Sequence, residues 1–379
     1  MTWPAAPTVD LGVPFPGRSR RLQRLHPSLL RGSRKRGSGT LHAVRVSGAA
    51  GLVIVVGVLL CHCSSDPGGP GGGPPVDSGV VRPPASAGHD LVYDDALQRV
   101  ILVNAGLGAA TGPPSTQPTQ LWAWNGSQWR VLDSAGPPIR SLAGVAYDSA
   151  RDVLVMHGGS YTVQVPYGDS WEWRADAGWG RIDVPGPGIL DHTQMSYDSS
   201  LQQAVLFGGQ RDLTTFSEDV WLFDGGQWTS VSGAGPGSRV HHAMQYHPGL
   251  GGVVVFGGFE PGAPAQDRGD TWRWNGAWAE IAPARASRSH ARMAYDEGRG
   301  TLVLVGGASS GDEPLVLRDA GWVPLGLGGA PPARYLPGVA YDRSRGVLVV
   351  FGGGNPANDA LLDDTWELDA AGWRRVDPP

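Results

Sequence analysis

From residue 88 onward the apolar positions come in short runs at nearly even spacing. A tyrosine, nearly always followed by aspartate, closes an apolar segment at Tyr93, Tyr147, Tyr197, Tyr246, Tyr295 and Tyr341, at intervals of 54, 50, 49, 49 and 46 residues. A brief turn follows, then a run that ends in glycines: VLVMHGG (153–159), AVLFGG (204–209), VVVFGG (253–258), LVLVGG (302–307) and LVVFGG (348–353), with a degraded first copy, ILVNAG (101–106). A polar loop leads to Asp-x-Trp at Asp169–Trp171, Asp219–Trp221, Asp270–Trp272 and Asp364–Trp366. Another tryptophan closes each unit, at Trp129, Trp179, Trp228, Trp278, Trp322 and Trp373. Runs of four or five mostly β-branched residues are strand-length, well short of a helix. In Trp-x-Trp at 122/124, 171/173 and 272/274 the period of two puts both indoles on one strand face. Asn125-Gly126, Gly225-Gly226, Asn275-Gly276 and Ala371-Gly372 mark tight turns. Each unit therefore predicts four short strands.

A four-stranded unit that recurs every 40–50 residues predicts a β-propeller blade, and six copies predict an all-β ring of six. One twisted blade cannot bury both its faces, but radial stacking can, with indoles filling the wedges between blades. The pattern of hydrophobics into a double glycine and then an aromatic pair resembles the kelch family, including the galactose oxidase central domain, over roughly residues 88–376. The resemblance implies six-bladed kelch-type architecture with blades at about 88–136, 137–187, 188–236, 237–285, 286–331 and 332–376. It leaves function open, because such propellers include enzymes, adaptors and sugar binders. Blade 1 departs from the pattern in lacking the double glycine and in having Gln120 for Asp; blade 5 has Leu315 for the first Trp. No strand is left over to be shared between the last and first blades, so closure is expected from packing alone unless Val76–Arg82 adds a strand.

The double glycine reads as structural, the Asp before each Trp as an acceptor for turn N–H groups, and the Tyr as core with a bonded hydroxyl. Seven residues before the tyrosines stand Arg140, Arg239, Arg288 and Arg334; five before stand His192, His241 and His290, in three consecutive copies. If this strand is innermost, the imidazoles line the central channel. One reading is a three-histidine metal site; the other is a stretch tied into backbone hydrogen bonds, and no metal is assigned. Gly88, Leu142 and Leu336 interrupt the series. The loops at 109–119, 160–168, 210–218, 259–269 and 354–363 exceed hairpin needs and share a rim with the blade-to-blade connections. They carry Tyr161, Tyr167, Arg211, Phe216, Phe259 and Arg268, the usual composition of a recognition surface. Asp267–Trp272 (DRGDTW) matches most of an Asp-box, with Ala265 for the usual Ser.

Composition narrows the function classes. Gly 58 and Pro 32 among 379 residues approach a disordered composition, but Trp 15 contradicts it and assigns those residues to turns. Residues 1–65 have formal charge +8 and the remainder −13; an acidic body argues against nucleic acid, whose binding needs positive charge along a face, and no nucleic-acid partner is expected. With no cysteine after Cys63, a disulfide framework and a Cys–Tyr copper-radical cofactor are both excluded. No cofactor is expected.

Residues 47–65 carry no charge, and their apolar heart, Gly48–Leu60, covers about 20 Å as a helix, too short for a bilayer core of about 30 Å. With Arg45 ahead and Cys61 and Cys63 behind, the segment resembles bacterial lipoprotein signals, which implies lipidation of one of these cysteines; a plain cleaved signal and an uncleaved anchor are the alternatives. Leu60 and His62 depart from the small residue that family places before its cysteine. The basic leader 1–46 is explained by an over-extended gene start or by a disordered leader, and 66–87 is a Gly/Pro-rich linker to a propeller at 88–379. The expected protein is an exported, membrane-tethered propeller of the bacterial cell envelope, or a secreted one, that binds a protein or glycan at one rim without catalysis. The alternative is a secreted carbohydrate-active enzyme of the sugar epimerase or mutarotase kind, with a channel site.

Overall fold

A computed structural model describes residues 82–103, 117–161, 165–260, 266–282, 287–308 and 313–376. The leader, the signal segment, Cys61, Cys63 and most of the linker lie outside them. Among the described residues, six four-stranded antiparallel sheets form in strict sequence order. Blade 1 is β1 (Asp90–Asp94), β2 (Arg99–Val103), β3 (Leu121–Trp124) and β4 (Trp129–Asp133). Blade 2 is β5 (Gly144–Asp148), β6 (Val153–His157), β7 (Ser170–Arg174) and β8 (Gly178–Ile182). Blade 3 is β9 (Gln194–Asp198), β10 (Gln203–Phe207), β11 (Val220–Phe223) and β12 (Trp228–Val231). Blade 4 is β13 (Ala243–His247), β14 (Gly252–Phe256), β17 (Thr271–Trp274) and β18 (Trp278–Ala282), with a ribbon of β15 (Phe259–Glu260) and β16 (Gln266–Asp267) in its loop. Blade 5 is β19 (Arg292–Asp296), β20 (Thr301–Val305), β21 (Leu315–Arg318) and β22 (Gly321–Pro324), and blade 6 is β23 (Gly338–Asp342), β24 (Val347–Gly354), β25 (Leu361–Asp369) and β26 (Gly372–Arg375).

The first strands β1, β5, β9, β13, β19 and β23 neighbour one another in a closed circle, with β1 beside β23. The fold is an all-β six-bladed propeller. Its hydrophobic core is divided among the seams, one cluster to each. In β2, Val100 and Leu102 pack on Val349 and Phe351 of blade 6, while Ile101 and Val103 pack on Leu154 and Met156 of blade 2. A strand buried on both faces must be apolar at every position, which is why these runs do not alternate. Trp122 and Trp124 both enter the seam with blade 6, as their period of two requires.

The double glycine is a hook between blades. The second glycine donates its N–H to the carbonyl seven residues before the tyrosine of the next blade: Gly159 to Leu190 (2.9 Å), Gly209 to Arg239 (3.0 Å), Gly258 to Arg288 (3.0 Å), Gly307 to Arg334 (2.9 Å) and Gly353 to Ser86 (2.8 Å). At Gly257, φ is +64° and a Cβ would lie 2.2 Å from the Arg288 oxygen, so no side chain fits there. The last hook joins blade 6 to blade 1, and among the described residues no strand is shared at that closure. Of the stretch Val76–Arg82 only Arg82 is described; it lies outside any strand and pairs with Asp363 at 3.7 Å.

Aspartate has two roles, and the turn acceptor expected at the Asp of Asp-x-Trp is found at a different Asp of the same unit. The Asp that follows the tyrosine is the turn acceptor: Asp148 takes N–H bonds from Ala150 and Arg151, and Asp198 from Ser200 and Leu201. His247 stands in for it in blade 4 and accepts from Leu250. The Asp of Asp-x-Trp instead binds side chains. In blades 1, 2 and 6 the tyrosine hydroxyl accepts from the preceding blade's turn: Tyr147 from the Ala96 N–H, Tyr341 from the Gly298 N–H and Tyr93, across the closure, from the Ser344 N–H.

Candidate functional site

Strand order places the loops after each double glycine and the blade-to-blade connections at one end of the channel, and the short turns at the other. At the loop end the four predicted arginines are buried and committed within their own blades. Arg140, Arg239 and Arg334 each place a guanidinium fork on Asp169, Asp270 and Asp364, with shortest distances of 2.6, 3.0 and 2.8 Å. Each also donates to the first glycine's carbonyl: Gly158, Gly257 and Gly352. The same carboxylates accept the indole N–H of Trp171, Trp272 and Trp366. Burial would raise these three carboxyls; the arginine bonds outweigh it and hold them below the usual range. Blade 5 has no such Asp, and Arg288 donates to the Gly306 and Glu313 carbonyls.

The position five before the tyrosine has left-handed backbone in all six blades, with φ of 73° at Gly88, 56° at Leu142, 55° at His192, 54° at His241, 61° at His290 and 49° at Leu336. Backbone bonds run between these residues around the channel: Leu142 N–H to Gly88, His290 to His241, Leu336 to His290 and Gly88 to Leu336. The position is required for its backbone, so its side chain is free to vary. Three adjacent blades use histidine, and the rings meet. His241 and His290 stack at 3.7 Å and 20°, His192 meets His241 edge-on at 4.4 Å, and Phe259 stacks on His241 at 5.5 Å. Face-to-face rings point their in-plane lone pairs side by side, without convergence. Among the described residues no group of three or more His, Cys, Asp or Glu is arranged to hold a metal. Burial, then the neighbouring His192 and Arg292, lowers His290 to about 3; burial with the His290, His192 and Arg292 charges holds His241 well below its ordinary value.

Around this stack, the loop residues form small ribbons. Ser160, Gln210, Phe259 and Gly354, each just after a double glycine, bridge Ser141, Asp191, Val240 and Tyr335 in the connection. Tyr167 lies under the Arg140 guanidinium at 4.1 Å, and Tyr161 closes a turn on Val165. In blade 3, Leu190 occupies the arginine position, and Arg211 comes from the loop to bind Asp219 (3.2 Å) and the Pro187 carbonyl (2.6 Å). Arg211 thus ties the blade 3 loop to the connection that carries Ile189, and Leu190 N–H bonds the Tyr167 carbonyl of the blade 2 loop. On these joined segments Val165, Ile189 and Leu213 are 38, 48 and 70% exposed. Within the Asp-box match, Asp270 is committed to Arg239 and Trp272.

The sequence reading missed the layer three residues before the tyrosine. There Asp90, Gln194 and Arg292 come from blades 1, 3 and 5, alternating with Gly144, Ala243 and Gly338 from blades 2, 4 and 6. Large polar side chains at every second blade, with almost nothing between them, are a signal present in the sequence, but it alternates instead of repeating in every copy. Asp90, Gln194 and Arg292 line a cavity of about 190 Å³ in the channel, which continues past Ser196 and Gln245 to a mouth at the turn end.

No family model and no curated protein matches the sequence. Among solved structures, one titled "Structure of YjhT" is similar with a TM-score of 0.60 and 14% identity, covering 79% of this chain and 99% of that one. That likeness carries the fold.

Proposed function

We propose that this protein is a kelch-type propeller that acts as a non-catalytic binding module, docking a protein or glycan on its loop rim. The observation that carries the reading is the exposed apolar trio Val165, Ile189 and Leu213, on rim segments stitched together by Arg211 and Tyr167. Large exposed apolar side chains on hydrogen-bonded loops favour a partner that covers them. The repeated double glycines and tryptophans support the kelch-type assignment. The uncharged segment 47–65 with Cys61 and Cys63 supports export and a lipid tether at the cell envelope, with the Gly/Pro tract as spacer.

The test is capture from an envelope extract and from a glycan panel, using the purified protein beside an Ile189→Asp/Leu213→Asp variant. A ligand retained by the parent and lost by the variant is expected. No ligand, or equal retention by both, overturns the rim reading. Incorporation of labelled fatty acid, abolished by Cys61→Ser or Cys63→Ser, is expected for the tether.

A further inference from the structure

The channel layer of Asp90 and Arg292 holds opposite charges that are not closed on each other. Arg292 is 6% exposed; its nearest approach to Asp90 is 3.9 Å, and among the described residues its side chain makes one hydrogen bond, from Nη1 to the neighbouring Ala291 carbonyl at 3.3 Å. Arg292 Nε and Asp90 Oδ2 are both buried without a hydrogen-bond partner. Gly338 of the intervening blade 6 places no side chain between them. A buried charge without close partners is expensive, and such groups in a native fold call for an explanation. Both line the channel cavity, whose 190 Å³ far exceeds the roughly 10–15 Å³ that one water requires.

We propose that this cavity binds a small zwitterion of the α-amino-acid class, with its carboxylate on the Arg292 guanidinium and its ammonium on the Asp90 carboxylate. The charges select the class. Asp90, Asp95, Glu297, Arg292 and Arg343 are the charged lining residues, one negative charge in excess, which disfavours a simple anion. At the mouth Arg343 is already paired with Asp95 (2.9 Å) and Glu297 (2.8 Å), so the inner pair is the one left to a ligand. A carboxylate alone would leave Asp90 unsatisfied and repelled; an amine alone would do the same to Arg292. Adjacent opposite charges on the ligand, laid against adjacent opposite charges 3.9 Å apart, close a square of alternating sign. Gln194, whose Nε2 is bound to the Thr193 carbonyl, walls the same layer. The cavity opens at the turn end of the channel, away from the proposed rim, and its binding does not depend on that rim.

The test is calorimetric titration of the purified full chain with glycine, L-alanine, acetate, methylammonium and glycerol. Saturable binding of glycine and alanine is expected, with acetate and methylammonium weaker by about thirtyfold or more, the scale of leaving a buried charge unpaired. Asp90→Asn, which is isosteric, and Arg292→Gln should each weaken glycine by a similar factor, whereas Ile189→Asp on the far rim should leave it unchanged. Asp90→Asn alone decides the matter if Arg292→Gln fails to fold. Acetate binding as well as glycine, glycerol binding as well as glycine, indifference to Asp90→Asn, or no saturable heat with any probe overturns the proposal.

Discussion

Asp270 accepts three donors from two side chains: both terminal nitrogens of Arg239, each at 3.0 Å, and the Trp272 indole at 2.8 Å. Arg239 is fully buried, so Asp270→Ala would strand its charge, at a cost of about 3–5 kcal/mol. In blade 3 the equivalent Asp219 meets Arg211 where the side chains are 40 and 31% exposed, and Asp219→Ala should cost only about 0–1 kcal/mol. Chemical denaturation of the two variants checks the rank order; equal losses would show that burial does not set the strength of these pairs. The arginines and aspartates were visible in the sequence as repeated letters, but not as partners. They stand 29 to 31 residues apart, and only the return of the chain through two strands brings them together.

A strand's fit to its neighbour turns on one residue inside Asp-x-Trp. Where that residue is Ser or Thr it accepts the indole N–H of the next blade's closing tryptophan: Trp129 to Thr365 (2.9 Å), Trp228 to Ser170 (3.2 Å) and Trp322 to Thr271 (3.0 Å). Blades 2, 4 and 6 carry the hydroxyl. Blade 1 has Leu121 at this position, and the buried Trp179 indole N–H of blade 2 has no partner. The bond therefore tunes a seam that packing already makes. Thr365→Val keeps the shape and removes the acceptor, so about 1–3 kcal/mol should be lost at the closure between blades 6 and 1, seen as a lower denaturation midpoint with unchanged secondary structure. The strands themselves were legible because burial on both faces writes an uninterrupted apolar run. The histidine series was visible too, but its left-handed backbone was not. Leucine and histidine at φ near 50–60° leave no compositional mark, and interruption by Gly88, Leu142 and Leu336 made one backbone requirement resemble a broken side-chain motif.

Closure of the ring rests on devices also found at other seams: a glycine hook, a tyrosine hydroxyl on the preceding turn and a shared apolar cluster. The stability of the whole depends on groups distributed among the blades, and several are histidines. Burial is the largest cause lowering His89 and His157 to about 4 and His290 to about 3, and it holds His241 and His242 well below the ordinary value. All five are neutral in the fold but take up a proton on unfolding below about pH 6.5. The stability tied to their neutrality is complete above that pH and falls as the pH drops towards 4. Asp90 works in the opposite sense: burial raises its carboxyl to about 6, so it binds its proton earlier in the fold and adds stability over the same descent. Five imidazoles outweigh it, and the melting temperature should fall between pH 6.5 and 4 in a scanning calorimeter. Leucine already occupies the position of His241 and His290 in blades 2 and 6, as Leu142 and Leu336, with the same backbone. His241→Leu with His290→Leu should therefore keep the ring folded at pH 8 and flatten the acid slope, and an unaltered slope would place the acid sensitivity elsewhere than the stacked rings.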